Sequence, residues 1–128
     1  MSYYFSTIVD LPFDQAVELV SEKLTEEGFG ILTEIDVSAA LKKKIDVDFR
    51  KYRILGACNP SYAHKALLAE DKIGTMLPCN VVVQEKKDGR IEVAAVDPVA
   101  SMQAVDNELL GEIAAAIQAK LKRVIDSL

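Results

Sequence analysis

No stretch of this chain restricts its fold more than Asn80 to Val96, NVVVQEKKDGRIEVAAV. Two runs of β-branched and apolar residues flank Lys86, Lys87, Asp88 and Gly89. Asp-Gly between such runs is a strong short-range signal for a β-hairpin, because tight hairpin turns need positive φ. Val81 and Val83 alternate with Val82, and Ile91, Val93 and Ala95 alternate with Ala94 and Val96. Both faces of the hairpin are therefore apolar, the pattern of strands covered on both sides. A fold for this chain must put material on each side of a sheet.

The remaining elements follow from local pattern. YYFSTIV from Tyr3 predicts a first strand, ended by DLP, and Pro12 suits a first helical position, where a missing N–H costs nothing. Phe13, Ala16, Val17, Val20 and Leu24 recur at helical spacing. Asp14, Glu18, Glu22 and Glu26 fall on other faces, and Gly28 sits where a left-handed residue would stop the helix. FGILTEIDV predicts a second strand. DVSAALKKKI predicts a short helix capped by Asp36 or Ser38, its three lysines, Lys42 to Lys44, forming a solvated end beside the negative pole. KYRILGAC predicts a third strand. A long last helix begins near Asp106 or Asn107, with Glu108 and Glu112 early and Lys120, Lys122 and Arg123 late. Leu109, Ile113, Ile117, Leu121, Val124 and Leu128 form its apolar stripe, and Val105 with Leu110 would staple its start if Asp106 were the cap.

Together these predict one α+β domain spanning 1–128: a mostly antiparallel sheet of about five strands with helices packed on one face, and a homodimer partner covering the other. A chain of 128 residues, half of them hydrophobic, suits a single core, and no linker or repeat divides it. Twenty acidic residues against fifteen basic ones, with no basic stripe, argue against nucleic acid as a partner. The longest apolar run falls far short of the ~20 residues of a membrane span, and the first residues lack a signal-peptide pattern, which predicts no membrane partner and a cytoplasmic location. In that compartment two cysteines are free thiols, ligands or redox groups rather than a structural disulfide.

Both cysteines lie in ACNPSYAHKALLAEDKIGTMLPCN, each followed by asparagine and each beside a proline, with the only histidine between them. Asn59 is a good N-cap and Pro60 a good first helical residue, so a helix is predicted from Pro60 to about Glu70 with Ala63, Leu67 and Leu68 inward. Cys58 then precedes a helix start, whose partial positive charge favours thiolate, and the N–H groups of Ser61 and Tyr62 could bind an anion. Three readings compete. In the first, Cys58, Asn59, Ser61, Tyr62, His64, Cys79 and neighbouring Met76 line a site for a small ligand or a soft metal ion, the metal candidates being Cys58, His64 and Cys79. In the second, Cys58 is the nucleophile or sulfur carrier of a thiol-based enzyme and Cys79 its resolving partner, which makes these two the candidate catalytic residues. In the third, the cysteines are core filler in a structural homodimer. No motif specifies a cofactor; Met76 and Met102 with His64 as haem ligands are a poorer reading than methionine as gap filler, and Asp97-Pro98 reads as turn initiation.

The chain resembles a known family on two stretches, YYFSTIVDLPFDQAVELVSEKLTEEGFGILTEIDV and LGACNPSYAHKALLAEDKIGTMLPCNVVVQEKKDG. With the Asn59-Pro60 corner and GTMLP, Gly74 to Pro78, as its most recognisable features, it is similar to the small bacterial and archaeal domain of unknown function 302. The resemblance extends over nearly the whole chain. It implies an α+β fold and dimeric relatives, and it carries over no catalytic residue.

Overall fold

A computed structural model describes residues 2–128. Five strands, β1 (Tyr4–Val9), β2 (Gly30–Asp36), β3 (Tyr52–Cys58), β4 (Cys79–Glu85) and β5 (Ile91–Val96), form one sheet in the order β1-β5-β4-β3-β2. Every neighbouring pair is antiparallel. The helices are α1 (Phe13–Glu26), α2 (Val37–Ile45), α3 (Pro60–Ala69), α4 (Pro98–Ser101) and α5 (Glu108–Asp126), with a 3-10 turn at Ile73–Met76. The expected α+β fold is the one the chain adopts. Among the described residues no helix is long and apolar enough to cross a membrane.

The hairpin forms where Asp-Gly predicts it. Gly89 has φ +86, its N–H donates to the Lys86 carbonyl at 2.9 Å, and the Lys86 N–H closes the strands on the Arg90 carbonyl at 2.8 Å. The α1 stripe is buried in full, and Gly28, at φ +87, ends that helix. Pro12 stands one residue earlier than expected, as the residue before α1, where its carbonyl accepts from the Ala16 N–H.

The core lies between the sheet and α1 with α5. Leu55, Val81, Val83, Val93 and Ala95 face Val20, Leu24, Leu110, Leu121 and Val124, all of them buried, and each such side chain contributes about 1.5–3 kcal/mol. On α5 the expected Ile113, Ile117, Leu121 and Val124 are buried and Leu128 packs half-buried against the core, while Leu110, Ala114 and Ile125 join the buried stripe and Leu109 is exposed. Asn107, not Asp106, precedes the helix, its Oδ1 accepting from the N–H groups of Leu109 at 3.0 Å and Leu110 at 3.4 Å. Val105 therefore lies one position too early for the staple.

The other sheet face is less apolar than alternation alone suggested. The strand registers align Ser6, Ala94, Val82, Ile54 and Ile35 in one row across the sheet, none of them buried. Beside this apolar row run Asn80, Gln84 and Glu92, with Gln84 donating to Glu92 at 3.1 Å. Covered strands are thus found on one side and a mixed, half-exposed surface on the other.

Candidate functional site

Because β3 and β4 are antiparallel, the end of one and the beginning of the next meet at one end of the sheet. Ala57 pairs with Cys79, so Cys58 lies one residue beyond that pair, at a Cα separation of roughly 6 Å by strand geometry. β5 points the same way as β3 and ends there too. Each of these strands finishes in an Asx-Pro corner, Asn59-Pro60 after β3 and Asp97-Pro98 after β5, and each corner starts a helix. The cis Leu77–Pro78 bond leads into Cys79.

Between these parts lies a cavity of about 30 Å³, bordered by Cys58, Cys79, Tyr62, Leu77 and Met102, with Phe29 and Ile117 behind them. That volume admits one water-sized body. No ionised side chain borders it, and its wall is almost wholly apolar. Both cysteines are free thiols, Cys79 buried and Cys58 half-buried. Burial pushes the Cys79 thiol up to about 11, the nearby Cys58 adding to the effect, and burial also raises Cys58. The direction at Cys58 is thus opposite to the lowering expected from the helix start, with loss of water as its cause.

The Asn59 cap is a second correction. Its side chain makes no hydrogen bond to the first turn of α3; the backbone carbonyl accepts from the Ala63 N–H at 2.9 Å, and the carboxamide instead lies over Gly28. On α3, Ala66 is buried while Leu67 and Leu68 are exposed, because the helix approaches α5 through its small residues and carries the leucines around to solvent.

Of the candidate residues, Cys58, Asn59, Tyr62 and Cys79 come together at the cavity. Ser61 and His64 are exposed on α3 and do not line it, and Met76 borders an adjoining concavity with Pro78 and Ser101 that shares Leu77 and Cys79 with it. Among the described residues no three His, Cys, Asp or Glu side chains are grouped as a metal site. Met102, which the sequence reading set aside as a gap filler, also borders the cavity. Asp97 is buried, and its Oδ1 accepts from the Val99 N–H and the Gln118 Nε2, each at 3.0 Å, which fixes the start of α4 and so delivers Met102 to the cavity. The second Asx-Pro dipeptide was the available signal.

The family model described as "Domain of unknown function DUF302" matches residues 5–128, and the chain belongs to that family. A crystal structure of an uncharacterized conserved DUF302 protein from Bacillus stearothermophilus is similar at a TM-score of 0.91 and 29% identity, covering 98% of each chain. An uncharacterized protein of Aquifex aeolicus (strain VF5) is 28% identical over 94 residues, 73% of this chain. The match spans 59% of that protein's length.

Proposed function

We propose that this member of the DUF302 family is a binding module whose occupant is a soft, thiol-seeking ion held between Cys58 and Cys79. The observation that carries the reading is that Cys58 and Cys79 border one small, nearly apolar cavity with room for a single small body. A cavity of about 30 Å³ lies far below the ~300 Å³ at which pockets begin to enclose drug-sized molecules, so the occupant is an ion rather than a metabolite. Thiol donors in an apolar wall select soft ions over hard ones. Free thiols suit a reducing, cytoplasmic setting.

The test is anaerobic titration of reduced protein with Ag(I), Cd(II) and Zn(II), followed by alkylation. Binding of one soft ion per chain should protect both cysteines, and Cys58→Ser or Cys79→Ser should abolish it. Alkylation at unchanged rates with every ion would sink the reading. A Cys58 to Cys79 disulfide forming under mild oxidant without ion binding would favour the redox enzyme instead, since roughly 6 Å between Cα atoms lies within disulfide reach.

The open sheet face supports a second part of the proposal, a homodimer. The row Ala94, Val82, Ile54 and Ile35 offers a self-complementary apolar strip, and a two-fold axis through it would cover both copies. Sedimentation should report two chains; a monomer at micromolar concentration, unchanged by Val82→Glu, would reject it.

A further inference from the structure

Three sulfur-bearing side chains, not two, border the cavity. Met102 stands with Cys58 and Cys79 in its lining, is 9% exposed, and occupies a fixed place in the backbone. Its N–H donates to the Pro98 carbonyl and its carbonyl accepts from the Val105 N–H, both at 3.0 Å. We infer that the cavity is a copper(I) site in which the Met102 thioether joins the two cysteine sulfurs as third ligand. The inference rests on the soft-ion reading and deepens it.

The donor set decides the ion. Zinc in protein sites takes four ligands drawn from thiolate, imidazole and carboxylate, and neither imidazole nor carboxylate borders this cavity. An iron–sulfur cluster needs four cysteines and far more space. A thioether is a neutral, soft donor, and thiolate with thioether is the combination that selects Cu(I). Formation is a simple exchange: the S–H bonds of Cys58 and Cys79 break, two protons leave to solvent, and the two thiolates with the neutral thioether bind Cu(I), with no change of oxidation state.

The experiment uses reduced full-length protein under argon, with Cu(I) presented by a chromophoric bicinchoninate competitor and Zn(II) in parallel. Wild type should take one Cu(I) per chain in preference to zinc, and copper-edge X-ray absorption should count three sulfur neighbours. Met102→Leu, close in volume and apolar, keeps the fold, which circular dichroism and melting verify. It should weaken Cu(I) by roughly tenfold or more and leave two sulfurs around copper. Equal affinity and an equal sulfur count in wild type and Met102→Leu would overturn Met102 as a ligand while leaving the two-thiol reading standing. Wild type that binds none of Cu(I), Ag(I) and Cd(II) would bring down both.

Discussion

The carboxamide of Asn59 lies against Gly28: its Nδ2 is 3.1 Å from where a Cβ on that glycine would stand. The link joins the end of α1 to the corner after β3, and it explains why Asn59 does not cap its own helix. Gly28 is held at φ +87, where a side chain is strained whatever the space around it. Gly28→Ala should therefore cost about 1–2 kcal/mol in urea denaturation. Asn59→Ala should cost well under the ~1 kcal/mol of a lost cap bond, and should relieve part of the Gly28→Ala penalty in a double-mutant cycle. Additive losses would mean that the two residues do not press on each other.

Asn107 serves two elements at once, capping α5 with its oxygen and donating its Nδ2 to the Ala69 carbonyl at 3.1 Å. Asn107→Ala should lose about 1–2 kcal/mol in chemical denaturation. Asn107→Asp keeps the cap and loses the donor, so its midpoint should fall between those of Asn107→Ala and wild type.

Gly56, in the middle of β3, is crossed by Thr33 and Pro78. A Cβ there would overlap the Thr33 hydroxyl outright and lie 2.8 Å from Pro78 Cγ. Gly56→Ala should cost about 1–3 kcal/mol. Thr33→Ala should recover only part of it, because the proline remains; full recovery, read from melting curves, would contradict this packing.

The thiols set an alkaline limit. An unfolded cysteine loses its proton near 9.0 and folded Cys79 near about 11, so between these values the unfolded chain binds fewer protons and stability falls as pH rises. Cys79→Ala should flatten that slope. Iodoacetamide at pH 7 should modify Cys58 more slowly than a free thiol and Cys79 more slowly still, as mass spectrometry of the labelled peptides will report.

Acid acts on a different pair. The Arg123 guanidinium donates through Nε and a terminal nitrogen to Glu27 Oε1, at 3.1 and 2.9 Å, and these bonds hold the Glu27 carboxyl below its usual 4.5. Its contribution is present above that value and is lost as pH falls through the lowered pKa. The pair is largely in solvent, so the effect should be small and should fade in high salt. Glu27→Gln should remove that salt-sensitive part from melting curves recorded through the acid range.

Most of the fold was legible because its signals are local. Asp88-Gly89 specifies a turn by itself, and the α1 stripe declares its buried face within one helix. What escaped depends on residues distant in sequence. Leu67 and Leu68 read as core because leucine usually is, yet the closeness of α3 to α5 depends on Ala66. Asn59 looked like a cap because Gly28, its actual neighbour, belongs to another element. At the site, the two cysteines were legible as chemistry, but their meeting required strand direction. His64 was near in sequence and not in space, Met76 reaches only the adjoining concavity that shares Cys79, and Met102, brought by the end of β5, was far in sequence and near in space.

The strand order also sets a timetable. β1 precedes the other four strands in sequence, yet it borders only β5, Val9 lying opposite Ile91 and Tyr4 opposite Val96. Until the ribosome has released the second arm of the hairpin, β1 has no native strand to join, and α1 lacks α5, its neighbour on the finished sheet. β1 therefore joins the sheet only once β5 is in place, closing a long loop, whereas β2, β3 and β4 can pair without it. A nascent chain halted before Ile91 would hold exposed aromatic and aliphatic side chains that a full-length chain buries, and would be the species most exposed to chaperones and proteases.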